Sequence, residues 1–376
     1  MSVHRLRAAL LLLAAGGVTW AAGEAFRSMA RPDLLFPDAS LSREHRLCEY
    51  FPELEGSPGN TAVYVFEGEE PGGSLLILGG THPNEPAGTT AAILLLENTR
   101  VRRGKVIIVP QANISGFTHN DPFEGNPQRF PLETSGGRRW FRYGSRLTNP
   151  VHQWPDPALY VNPAGQALAG AEARNLNRNY PGRPRGNLTE QVAYGIMELI
   201  RREHIDLAVD LHEAAPEYPV INALVFHEGS AELAAMTLME LQLEGLEYRL
   251  EESPANLRGL SHREWGDSAG IFALLFETAN AAHGRLKGRP SVSLILTGRD
   301  PNYVKAARLG RLFVPYDESG IPLKRRVARH VAALEALLKA WRELSPEQTV
   351  VITGWPEGEE IRSSGVGHFL HPPEKQ

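Results

Sequence analysis

Short apolar runs recur along the chain and predict strands of a mostly buried sheet. They fall at residues 62–67, 74–78, 105–109, 205–211, 223–226 and 270–276, with one more candidate at 349–353. Helical spacing lies between them. The segment 86–97 opens with Pro86, which suits a first helical position. The segment 189–203 puts Val192, Ile196, Leu199 and Ile200 on one face, with Thr189 as a candidate cap. Segments 231–244 and 326–343 read the same way. Strands alternating with helices predict an α/β fold, with a central mixed, mostly parallel sheet flanked by helices. Two stretches break the rhythm. Residues 116–172 are rich in Pro, Gly, Arg, Trp and Tyr without a clean period, and 253–267 is a shorter example. Both are expected to be loops that wall a site.

The first residues form a different pattern. His4, Arg5 and Arg7 precede an apolar stretch from Ala8 to about Ala22, followed by small residues at Ala21, Ala22 and Gly23. This predicts an exported protein, with residues 1–25 as a secretory signal or, alternatively, an uncleaved membrane anchor. A catalytic domain is expected over 45–345 and a polar C-terminal extension over 346–376. The single cysteine, Cys48, rules out an intramolecular disulfide and fits a small half-buried side chain. A net charge of −5 without a basic run argues against a nucleic-acid surface.

The candidate chemistry sits directly after three of the apolar runs. Residues 74–78 lead into Gly79, Gly80, Thr81, His82, Pro83, Asn84 and Glu85. The run 205–211 leads into His212, and 270–276 leads into Glu277. Ligands of open α/β sheets bind at the carboxyl ends of strands. His82, Glu85 and His212 have the donor types of a catalytic zinc site, two imidazoles and one carboxylate with a fourth position left for water. Glu277 ends a buried run, and a carboxylate there needs a partner. The segment 174–182 adds Arg174, Asn175, Asn177, Arg178 and Asn179, donors suited to a carboxylate-bearing substrate.

The order GGTHPNEPAG, NLNRNYPG, DLHEA, FETAN resembles the zinc carboxypeptidases and the related succinylglutamate desuccinylase/aspartoacylase family, from about Leu75 to Asn280. That resemblance implies one Zn2+ per chain on His82, Glu85 and His212. It also implies substrate carboxylate on Asn177 and Arg178, and Glu277 as general base. The family's oxyanion-stabilising arginine falls among Arg138, Arg139, Arg142 and Arg146; Arg139 is taken as the candidate. The tyrosine that contacts substrate in carboxypeptidases has no clear match, which favours an N-acyl amino acid deacylase over a peptidase acting on peptide C-termini or cell-wall peptides. An ester bond suits the same attack. A serine hydrolase is a weaker reading from Gly266, Ser268 and Gly270, because a strand follows that motif instead of preceding it. A binding module that lost activity is the non-enzymatic reading.

Overall fold

The computed structural model describes residues 3–121 and 124–373; two residues of the 116–172 insertion and the last three of the tail lie outside it. Its centre is a nine-stranded sheet. The strands are β1 (Arg43–Arg46), β2 (Ala62–Glu67), β3 (Glu70–Leu78), β4 (Arg100–Val109), β9 (Leu207–Ala214), β10 (Ala223–Phe226), β11 (Arg249–Glu252), β12 (Phe272–Ala279) and β13 (Val351–Thr353). Two hairpins stand apart, β5 (Arg129–Thr134) with β6 (Gly137–Arg142) and β7 (Leu159–Val161) with β8 (Ala167–Ala169). The helices are α1 (Val3–Ala30), α2 (Pro86–Asn98), α3 (Leu188–Arg202), α4 (Ala231–Leu243), α5 (Ser261–Ala269), α6 (Val292–Thr297), α7 (Pro301–Arg308), α8 (Leu323–Leu344) and α9 (Gly358–Ser364).

The sheet runs β1-β2-β4-β3-β9-β12-β10-β11, with β13 also on β4. Its middle, β4-β3-β9-β12, is parallel, and antiparallel pairs flank it. This is the expected mixed, mostly parallel sheet. The middle strands alternate between two cores. Leu75, Ile77, Val209 and Leu211 join a layer built with α2 and α8, whereas Leu76, Leu78 and Ala208 join one built with α3. Helices cover both faces, so these strands read as continuous apolar runs.

From β3 the chain crosses through α2 to β4 on one side and later returns to β9 on the other. The carboxyl ends of β3 and β9 therefore flank a topological switch point, where open sheets leave a crevice.

Two expectations are corrected. Residues 253–267 are not one loop: α5 begins at Ser261 and ends on Gly270, which takes the left-handed φ of 69° that favours glycine as a C-cap. The C-terminal segment is not an appendage. β13 pairs with β4, α9 packs on α8, and Phe369 O accepts a bond from Asn98 Nδ2 at 2.8 Å.

Candidate active site

Gly80, two residues past the end of β3, has φ 68°, which turns the chain sharply, and a Cβ there would fall 2.8 Å from the Phe117 ring. The turn delivers His82 and then Glu85, the residue before Pro86 at the start of α2. Gly88 lets that helix approach β9, because a Cβ would fall 2.2 Å from Leu211 O. On β9, Asp210 and His212 share one face by strand alternation, while Glu213 points to the other. Glu213 pairs there with the fully buried Arg326 and accepts a bond from Ala87 N at 2.8 Å, while its own N–H donates to Glu85 Oε2 at 3.0 Å. The first turn of α2, and Glu85 with it, is thus pinned to β9.

The structure brings His82, Glu85 and His212 together, all buried. His82 Nδ1 lies 2.8 Å from Glu85 Oε1, His212 Nδ1 lies 2.9 Å from Glu85 Oε2, and the two Nδ1 atoms are 3.1 Å apart. The donor atoms of a tetrahedral zinc ion with bonds near 2.0–2.1 Å stand about 3.3 Å apart, so this set needs little adjustment to hold one. Both far ring nitrogens face a polar partner, the kind of support metal-bound histidines use; the one on His82 is a hydrogen bond and the one on His212 an ion-pair contact outside hydrogen-bond geometry. His82 Nε2 lies 2.9 Å from Asn175 Oδ1, and His212 Nε2 lies 2.9 Å from Asp210 Oδ2. Asp210 in turn accepts bonds from Ser261 Oγ at 2.6 Å and Thr81 Oγ1 at 2.8 Å.

The electrostatics favour a cation. Burial, helped by Arg146, pushes the His82 pKa down to about 3, so its lone pair is free. Burial also disfavours charge on His212, but Asp210 and Glu85 outweigh it and hold its pKa well above the ordinary value. Burial opposes charge on Glu85 as well, yet both imidazoles pull its pKa well below the usual range. Two carboxylates that draw a proton onto His212 would draw a metal ion to the same place.

Glu277 lies opposite His212 in the β12–β9 register. Its Oε2 is shut off from solvent and has no hydrogen-bond partner among the described residues. Burial pushes its pKa up to about 8; His212 and Arg146 oppose this, and Glu85 and Asp210 add to it.

The chain is similar in structure to several solved proteins. A succinylglutamate desuccinylase/aspartoacylase from Rhodobacter sphaeroides is 20% identical, over 58% of this chain and 51% of that one, at a TM-score of 0.37. A metallo-carboxypeptidase from Burkholderia cenocepacia is 12% identical, over 79% and 69%, at 0.44. The cell shape determinant protein Csd4 from Helicobacter pylori is 14% identical, over 80% and 58%, at 0.43. The chain spans about half the length of the first of these. No family model and no curated protein matches it.

The arginines need a correction. Arg139 is not at the site. It is buried in β6 on both carboxylate oxygens of Glu97 at 2.8 Å, and it also donates to Leu34 O and His371 O. Arg142 is bound to Asp33 and Gln111, and Arg138 to Glu133. Arg146 reaches the donors instead, with one guanidinium nitrogen 3.2 Å from both His82 Nδ1 and Glu85 Oε1.

Arg178 is half-buried, its pKa lowered by burial and by repulsion from Arg146. Glu172, Glu277 and Glu85 attract it only at longer range. Its nearest acceptor is the carbonyl of Asn177, at 2.7 Å. Asn177 Oδ1 is engaged by Ser261 N at 2.8 Å, which ties the 174–182 turn to α5. Ser268 lies in the last turn of α5, ahead of β12, the reverse of the strand-then-helix order that a serine nucleophile needs.

Proposed function

We propose that the chain is an exported zinc-dependent hydrolase that cleaves an amide bond in a carboxylate-bearing substrate, an N-acyl amino acid. The observation that carries this reading is the convergence of His82 Nδ1, His212 Nδ1 and Glu85 on one point, with Glu277 and two arginines beside it. His82, Glu85 and His212 would hold the zinc ion, which would supply an acidified water, with a pKa near about 7, and a polarised scissile carbonyl.

The chain's own groups do the rest. Glu277, opposite His212 in the β12–β9 register, takes a proton from the attacking water and delivers it to the leaving amine. Arg146 stands where the developing oxyanion needs a cation. Among the described residues no carboxylate lies within bonding distance of Arg178, so it offers its guanidinium to the substrate carboxylate, with Asn177 alongside.

The test is turnover of a panel of N-acyl amino acids and short peptides by the purified enzyme, with Glu277→Gln beside it. Glu277→Gln keeps the side chain's shape, so zinc content is expected to hold while kcat falls by about 10²–10⁴. A wild-type enzyme that cleaves none of the amides, or a variant with full kcat, overturns the reading.

A further inference from the structure

Helix α1 barely touches the domain. Leu10, Leu11, Leu12, Leu13, Val18 and Trp20 all stand exposed. A surface that apolar is not stable in water, and α1 is long and apolar enough to cross a membrane. Only its last turns meet the domain, and the join is tight. Met29 is buried, and Ser28 Oγ donates to Gln128 Oε1 at 2.9 Å. Arg129 donates to the carbonyls of Ser28 and Arg31 at 2.9 and 2.5 Å. Asp33, just beyond, is buried and accepts bonds from Arg142 and Gln111. No loose linker separates helix from domain, so the face around the foot of α1 is fixed.

That face is the wall of the hydrolase site. The foot of α1 packs on the turn Gly116–Thr118. Phe117 in that turn closes over Gly80, and Gly116 O accepts a bond from Ser145 N, one residue before Arg146. The neighbouring turn at 149–154 hangs on the same place. Asn149 N donates to Ser115 Oγ at 3.2 Å, Asn149 Nδ2 donates to Thr118 Oγ1 at 2.8 Å, and the His152 ring lies 2.8 Å from Ser115 Oγ. This anchored turn presents Val151, 87% exposed, and Trp154, 78% exposed.

We propose that this face rests on a lipid bilayer crossed by α1, so that the enzyme takes its substrate at the membrane surface. Charges bound the span: Arg5 and Arg7 precede the charge-free stretch 8–23, and Glu24, Arg27 and Arg31 follow it. The stretch is about 24 Å long at ~1.5 Å per residue, shorter than a hydrocarbon core of roughly 30 Å. A short span draws its flanks toward the bilayer, which brings Val151 and Trp154 to the depth where tryptophan and aliphatic side chains settle. None of this depends on the metal.

The test uses the full chain with Cys48→Ser, reconstituted in phosphatidylcholine/phosphatidylglycerol nanodiscs. Nitroxide labels are placed singly on Val151→Cys, Trp154→Cys and, as a reference, Leu243→Cys in α4, where the leucine is 82% exposed. Labels at 151 and 154 are expected to collide with oxygen more than with a water-soluble nickel chelate, and the label at 243 to do the reverse. Equal nickel accessibility at all three sites overturns the proposal. So does recovery of the native protein in soluble form with α1 removed, as read by mass spectrometry of its N-terminus.

Discussion

Among the described residues two clusters bring histidine and carboxylates within reach of one another, and they differ in burial and in the aim of their donor atoms. In the first, His82, Glu85 and His212 are buried, and each imidazole turns one nitrogen inward while the other faces Asn175 or Asp210. In the second, His227, Glu228 and Asp267 also come within reach of one another, but the two carboxylates are exposed. There His227 Nδ1 accepts Gly229 N–H at 3.1 Å, and Nε2 lies 2.8 Å from Asp267. Arg258 and Arg263 already take the Asp267 oxygens, and Arg263 takes Glu228 as well. Proximity of donors is common to both. What differs is burial and aim: the first set is buried with its donor atoms turned to one place and Arg146 on Glu85, whereas the carboxylates of the second are exposed and held by two arginines.

The largest expected effect follows from removing an inward-facing donor. His212→Ala should abolish bound zinc, from about one ion per chain with two-His, one-carboxylate ligation, and reduce hydrolysis to background. Elemental analysis and a turnover assay read this together.

Arg139→Ala tests the corrected arginine. It leaves Glu97 buried without its cation, and removing one partner of such a pair costs about 3–5 kcal/mol. Denaturant unfolding should show that loss, while folded protein keeps its zinc and its kcat.

Asp210→Asn probes the support behind His212. Zinc affinity should fall about 10–100-fold, the usual worth of such a partner, as measured by chelator competition.

The smallest effect belongs to the second cluster. His227→Ala should leave zinc stoichiometry and kcat unchanged, because the Asp267 it faces is already held by Arg258 and Arg263. Loss of zinc in this variant would erase the distinction between the clusters.

The main strands, the helices from residue 86 onward that show clear spacing, and the positions of His82, Glu85, His212 and Glu277 at strand ends were legible in the sequence. Buried parallel strands are continuous apolar runs, and the polar residues that end them stand out. Asp210 could have been found: it lies two residues before His212 in a strand, hence on the same face. Glu97 also carried a signal, a carboxylate closing the apolar run of α2 that had to find a cation. Which arginine it would take was not readable, because the β5–β6 hairpin decides by its tertiary placement that Arg139 points at α2 and Arg146 at the donors. The pairing of β13 with β4 was hidden for the same reason, since its partner lies some 250 residues away in the chain. α5 was missed because its polar, nine-residue sequence resembles a loop and only Gly270 marks its end.

The most direct measurement is zinc K-edge X-ray absorption on the purified, zinc-loaded wild-type protein. The account predicts a first shell of nitrogen and oxygen at about 2.0–2.1 Å, with outer-shell scattering from two imidazoles that persists in His227→Ala, whereas His212→Ala retains no zinc edge to measure. A sulfur neighbour at about 2.3 Å, or imidazole scattering that drops in His227→Ala, would contradict it.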